Sequence, residues 1–204
     1  MNAIQLKLYV VDDDEAVRRS LGMLLLSRGY AVQLFDSGEA FLTSNYEHQE
    51  GCLILDLRLE GMSGLELLDI LRSRNSSLVI IFLSAHGDIP AALEAVQNGA
   101  FGWLEKPCSD EILLKKVQHA LAHAASLEQK KIAAQNAYML WGKLTPREKE
   151  VARLVADGKS SKVIARELSA IEPRTVETHR AHVYSKLGFS NSNELDRFLR
   201  QYNL

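Results

Sequence analysis

The stretch YVVDDDEAVRRS, residues 9–20, decides how this chain is read. An apolar run suited to a buried strand ends abruptly in three aspartates, and a segment of helical composition follows at once. Neighbouring carboxylates repel one another, so folding alone gives little reason to collect three of them at a strand end. The run reads as a solvated turn, a metal site or the Asp-x-Asp of a phosphatase, and the rest of the chain has to choose among these.

The same strand-then-helix text recurs. KLYVV (7–11), AVQLF (31–35), CLILDL (52–57), LVIIFL (78–83) and GWLE (102–105) read as strands. The middle runs are almost continuous Val, Ile and Leu, which is expected where helices cover both faces of a parallel sheet. Val17, Leu21, Leu24 and Leu25 make one helical pattern; GLELLDILRS and IPAALEAVQNG make two more, the last closed at Gly99. The fold class predicted is α/β, a doubly wound five-stranded parallel sheet with its site at the C-terminal strand ends. From Ser109, a predicted N-cap, to Ala137 there is no Gly or Pro, and Leu113, Val117, Leu121, Ala124 and Leu127 keep helical spacing. The last helix of the sheet domain is therefore expected to run on as a connector.

After Leu144 the signals are all helical. TPREKEVARLVADG carries a Thr cap, a Pro at the first helical position, Glu148 three residues after the cap and a closing Gly158. SSKVIAREL, EPRTVETHRAHVYSKLG and SNSNELDRFLRQY complete a four-helix, all-α unit. The predicted division is a sheet domain over 1–121, a helical linker over 122–141 and a helical domain over 142–204.

Composition agrees with two modules. Of 204 residues 47% are apolar and 25% charged, as in ordinary globular proteins. No apolar run approaches the ~20 residues a membrane span needs, and charge arrives by Lys7, so neither a membrane segment nor a signal peptide is expected. Cys52 and Cys108 belong to no CxxC pair and read as free thiols of a cytoplasmic protein. Residues 1–141 hold 12 Lys+Arg against 18 Asp+Glu; residues 142–204 hold 12 against 8. An acidic front and a basic back suggest different partners.

The predicted topology puts chemistry where the acids are. Asp12 and Asp13 end the first strand, Asp56 ends the third, and in such sheets these strands deliver their carboxylates into one crevice. Grouped carboxylates call for a cation, and Mg²⁺ suits carboxylate, carbonyl and water oxygens. With Mg²⁺ beside it, Asp56 could attack phosphorus to give an aspartyl phosphate. Lys106 and Ser84, at the ends of the last and fourth strands, fall on the same rim and suit the remaining phosphoryl oxygens.

VVDDDEAVRRSL, LILDLRLEGMSGLELL, FLSAHGD and GWLEKP, in that order, resemble the receiver domain of two-component response regulators over residues ~6–121. The resemblance implies Asp56 as phosphoacceptor, and Mg²⁺ held by Asp13, Asp56 and the backbone carbonyl of Arg58, with Asp12 binding mainly through water. It implies Ser84 and Lys106 as phosphoryl contacts, Ser84 and Trp103 as switch residues, a cis Lys106–Pro107 peptide and a sensor histidine kinase as partner. Asp14 is expected to face solvent or to favour the helix start. Where the family usually reads Met-Pro after Asp56, this chain has Leu59-Glu60; without the proline the loop is expected to be freer, with an altered phosphorylation rate or lifetime.

The basic tail resembles the LuxR-type helix-turn-helix of the NarL/FixJ regulators over residues ~142–204. That resemblance implies double-stranded promoter DNA as partner, with Glu177, Thr178 and Ala181 toward base edges and Lys162, Arg174, Arg180 and Lys186 on phosphates. LSAIEPRT (168–175) is one residue longer than the family's usual turn, which puts the tilt of the recognition helix in question. Leu195, Phe198 and Leu199 match the family's dimerisation helix, or else pack on Val151 and Leu154. The function implied is a phosphorylation-activated transcription regulator, not an enzyme, that forms a homodimer. Two other readings stay open: a haloacid-dehalogenase-type phosphatase using Asp12-x-Asp14, whose register Ala16 fits poorly, and a phosphorylation-independent scaffold.

Overall fold

The computed structural model describes residues 6–44, 50–85, 89–168 and 171–204. The chain divides into two compact units, Met1–Gln129 and Lys130–Leu204.

In the first unit, strands β1 (Lys7–Val11), β2 (Val32–Phe35), β3 (Gly51–Leu55), β4 (Val79–Ser84) and β5 (Gly102–Glu105) form one sheet in the order β2-β1-β3-β4-β5. Every pairing is parallel. The chain leaves β1 toward one edge and returns to its other side as β3, so the strand order reverses between them. That switch point opens a crevice at their C-terminal ends. Side chains alternate along a strand, so β1 feeds two cores at once. Leu8 and Val10 pack with helices α1 (Glu15–Ser27) and α5 (Asp110–Gly142) on one face. Tyr9 and Val11 pack on the other face, in the core that Phe41, Leu67, Leu68 and Ala95 fill from α2 (Gly38–Thr43), α3 (Gly64–Ser73) and α4 (Ile89–Gln97).

Helix α2 has no counterpart in the sequence reading. Its six residues are too short to show a period; Ser37 caps it by accepting from the Ala40 N–H at 3.3 Å, and Phe41, fully buried, anchors it. Ser109 caps α5, accepting from the Ile112 N–H at 3.3 Å. Helix α5 is unbroken for 33 residues, so residues 122–141 are helical throughout, and the division between units falls inside it.

The second unit holds α6 (Pro146–Ala156), α7 (Ser161–Glu167), α8 (Pro173–Leu187) and α9 (Ser192–Tyr202). Thr145 and Glu148 form the expected capping box, and Gly188 ends α8 at φ 73, the left-handed conformation glycine adopts without strain. Val151, Ile164, Val176, Val183 and Leu195 make its core, and Trp141 joins them from the end of α5. Leu195 and Leu199 are buried in that core with Val151, and Phe198 packs edge-on against Phe189 and Tyr202. The apolar stripe of α9 is thus used inside the unit, as the packing alternative held.

Residues 86–88, which carry part of the Ser-Ala-His-Gly-Asp block, and residues 169–170, where the longer helix-turn-helix turn falls, lie outside the described residues.

Candidate functional site

The three aspartates after β1 part company at once. Asp12 is buried, at 2% exposure, because its N–H continues the ladder to the Phe35 carbonyl at 3.2 Å. Asp13 is exposed. Asp14 is the N-cap of α1, accepting from the Ala16 and Val17 N–H groups at 2.8 and 3.1 Å. These bonds to exposed backbone donors hold its carboxyl below the usual range, first through Val17 and then through Ala16. A capping bond, more specific than the expected electrostatic help, starts the helix.

Asp56 follows β3 and is 8% exposed, its N–H bonded to the Val11 carbonyl at 2.9 Å. Gly64, at the start of α3, is what lets the next helix close over it. A Cβ on Gly64 would lie 2.2 Å from the Asp56 carbonyl oxygen. Lys106, whose N–H reaches the Ser84 carbonyl at 2.8 Å, sends Nζ to Asp12 Oδ2 at 2.6 Å and Asp56 Oδ2 at 2.7 Å. One ammonium therefore bridges carboxylates 94 and 50 residues away in sequence. Burial pushes the Asp12 carboxyl up, outweighing Lys106, and the neighbouring charge of Asp56 adds to the rise. Burial also opposes the Lys106 charge, but the hydrogen bonds and charges of the two aspartates prevail and its pKa is raised.

Asp12, Asp13 and Asp56 offer carboxylate oxygens all within 4.8 Å of one another. Three carboxylates facing one ammonium leave an excess of negative charge, which a hard divalent cation would neutralise. The donor set thus fits a metal of the Mg²⁺ class. Arg58 lies on the loop after Asp56, its N–H 3.3 Å from Asp56 Oδ1 and its side chain exposed. Ser84, 1% exposed, ends β4 in register with Glu105, so β4 and β5 place it beside Lys106. Trp103 is half-buried and stacks on Phe82, with centroids 5.6 Å apart and planes at 25°. The Lys106–Pro107 peptide is cis.

In the loop after Asp56, where proline is absent, the Glu60 N–H donates to Asp13 Oδ2 at 3.2 Å, and the Met62 N–H to Glu39 Oε1 at 3.1 Å. Sequence reasoning passed over Glu39, and also Arg18. From the first turns of α1, Arg18 Nη1 donates to the Asp12 and Asp13 carbonyls at 2.7 and 3.2 Å. The available signal was the demand of a strand-end turn for donors to its carbonyls, with a cation one turn into the following helix.

In the second unit Val176, Val183 and Leu187 face inward from α8, leaving Arg174, Glu177, Thr178 and Ala181 exposed, with Lys162 exposed on α7. Two of the expected phosphate contacts are engaged inside the unit. Arg180 Nη1 donates to Ser161 Oγ at 3.2 Å and ties α8 to α7. Lys186 Nζ donates to both oxygens of Glu148, at 2.8 and 2.6 Å. Glu148 is 3% exposed; burial alone would raise its pKa, but Lys186 and the cap donors of Thr145 hold it below the usual carboxylate value. Glu148 was legible only as a capping residue, because the clamp on Lys186 spans 38 residues. Arg147 reaches the Leu168 carbonyl and closes the C-terminal end of α7.

Residues 8–118 match the family model described as response regulator receiver domain, and residues 142–199 match that of bacterial regulatory proteins, luxR family. The chain is a response regulator of the NarL/FixJ family. This regulator is 39% identical over 190 residues to the transcriptional regulatory protein FixJ of Bradyrhizobium diazoefficiens, covering 93% of this chain and 92% of that one. It is 40% identical over 191 residues to the transcriptional regulatory protein TdiR of Thauera aromatica, covering 94% and 84%. Among solved structures it matches the response regulator StyR with a TM-score of 0.88 at 36% identity, over 97% of this chain and 100% of that one. Full-length FixJ from B. japonicum matches with a TM-score of 0.61 at 37% identity, over 98% of each chain. The regulator combines a receiver, which implies a kinase partner, with a LuxR-type DNA-binding domain. The family regulates transcription, and none of the regulator's described helices is long and apolar enough to cross a membrane.

Proposed function

We propose that this regulator is switched by phosphorylation of Asp56 and then dimerises and binds promoter DNA. The observation that carries the reading is the Lys106 ammonium bridging Asp12 and Asp56, with Asp13 in the same crevice. A carboxylate oxygen of Asp56 attacks the phosphorus of a phosphohistidine on a sensor histidine kinase; the P–O bond forms, the P–N bond breaks, and the imidazole leaves with a proton from solvent. Asp13, Asp56 and the Arg58 carbonyl would hold Mg²⁺, with Asp12 in the outer shell. Bound there, Mg²⁺ supplies charge neutralisation for the phosphoryl oxygens.

The new group brings a charge of about −2, and Lys106 turns from the carboxylates to it. The Ser84 hydroxyl takes a further phosphoryl oxygen. Trp103, stacked on Phe82 in the core beneath α4, passes the change to the α4–β5 face, as a shift between pre-existing states. On α4, Leu93 and Val96 are 57% and 51% exposed, which suits that face to a receiver homodimer. In the second unit Glu177, Thr178 and Ala181 read base edges, while Arg174 and Lys162 meet phosphates. Arg180 and Lys186 keep α8 at its angle instead. The setting proposed is the cytoplasm, with residues 1–121 as receiver, 122–141 as linker and 142–204 as DNA-binding domain.

The phosphatase reading loses support because Asp14, its second aspartate, is committed to capping α1. The scaffold reading is separated by a beryllofluoride-type phosphoryl mimic with Mg²⁺: a change in oligomeric state favours phosphorylation control. Phosphodonor-dependent dimerisation and promoter binding should disappear in Asp56→Asn; their survival would refute the mechanism.

A further inference from the structure

Glu60 stands where a proline would have no N–H to give, and its N–H is in use. It donates to Asp13 Oδ2 at 3.2 Å, across 47 residues of sequence. Asp13 is exposed, and this bond restrains its carboxylate against rotation. The loop is tied again two residues on, where Glu39 Oε1 accepts from the Met62 N–H at 3.1 Å. Between the two tied amides Gly61 turns the chain at φ 81, and a Cβ there would come within 3.0 Å of Glu39 Oε1. The two ties and the turn form one small brace linking α2, the loop after Asp56 and the turn after β1.

We propose that the Glu60 backbone amide, held in place by the Glu39–Met62 tie, is a positioning group for Asp13 that preorganises the carboxylate cluster for a divalent cation. The inference rests on the reading of Asp12, Asp13 and Asp56 as a Mg²⁺ site and assigns the backbone, rather than the Glu60 carboxylate, as the part that matters.

The test is calorimetric titration of the full chain with Mg²⁺ alone, alongside amide hydrogen exchange at residue 60. Glu60→Pro removes the donor and should weaken Mg²⁺ binding about 3- to 10-fold, the share of one ordinary, solvent-exposed hydrogen bond. Glu60→Ala keeps the N–H and should stay within about two-fold of wild type. Glu39→Ala, which leaves Glu60 untouched, should weaken binding less than Glu60→Pro does and speed exchange at the Glu60 amide, covering the case in which the proline variant fails to fold. Asp13→Asn should weaken binding more than any of them. If Glu60→Pro and Glu39→Ala bind Mg²⁺ as wild type does while Asp13→Asn does not, the positioning role is wrong. If Asp13→Asn also binds as wild type does, the metal-site reading itself falls and takes the inference with it.

Discussion

Each unit of the regulator buries carboxylate against a lysine from a distant element, and the two arrangements are opposites. In the DNA-binding unit one Glu148 meets one Lys186, with the Thr145 N–H also bonded to the carboxylate and His182 Nδ1 3.7 Å from its Oε1. In the receiver one Lys106 is shared between Asp12 and Asp56, while Asp13 adds a third acid. The first is a pair whose charges balance, one carboxylate against one ammonium. The second is held in electrostatic excess, which costs stability and which only an incoming cation or a redistribution of charge relieves. A balanced pair is built to hold a helix, and an unbalanced one to react.

The contrast breaks most visibly under neutralisation. Glu148→Gln should destabilise the second unit by about 2 kcal/mol, because the buried carboxylate's charge-assisted bonds to Lys186 are lost. Asp56→Asn should leave receiver stability unchanged or raise it by about 1 kcal/mol, since it removes like-charge repulsion. Thermal melts of both variants check the pair of signs, and a loss in both would erase the distinction.

Acidity sharpens the same contrast. The pKa of Glu148 is lowered in the fold, so its stabilisation is present above its ordinary value of 4.5 and is lost as pH falls through the depressed folded value. The gap in melting temperature between wild type and Glu148→Gln should therefore shrink as pH falls below 4.5 and through the depressed folded value. The pKa of Asp12 is raised above its ordinary 3.8, so its ionised form is penalised once pH passes the folded value. Asp12→Asn should gain most at neutral pH and nothing below 3.8. Melting series from neutral to acid pH test both slopes.

The smallest effect expected separates clamps from contacts. Arg174→Ala should lower the salt dependence of DNA binding by about one phosphate and weaken affinity for all sequences alike. Lys186→Met should act through the stability of α8 and leave the salt slope of the folded fraction unchanged. Binding isotherms at several salt concentrations decide; a shallower slope in Lys186→Met would return that residue to the DNA backbone.

The sheet, its strand-end acids and the helical tail were legible because each rests on a local pattern: continuous apolar runs, a Thr-Pro-x-Glu box, glycine at helix ends. Helix α2 was not, since six residues leave no period to read. The side-chain ties were illegible for another reason. Arg18, Glu39 and the Lys186 end of the Glu148 clamp look like ordinary surface charges in a string of letters. Their partners are a backbone carbonyl, a backbone amide and a residue 38 positions away. The loop after Asp56 shows the limit most plainly: a missing proline suggested slack, while the amide it frees is the one Asp13 uses.

The central claim is that the unbalanced cluster accepts a phosphoryl group at Asp56 and that this controls the DNA-binding unit. The most direct measurement is incorporation of phosphate from a small phosphodonor with Mg²⁺, followed in the same samples by dimerisation and promoter binding, for wild type and Asp56→Asn. The account predicts incorporation, dimer and tighter DNA binding in the wild type and none of the three responses in Asp56→Asn. Donor-dependent DNA binding that persists in Asp56→Asn would contradict it.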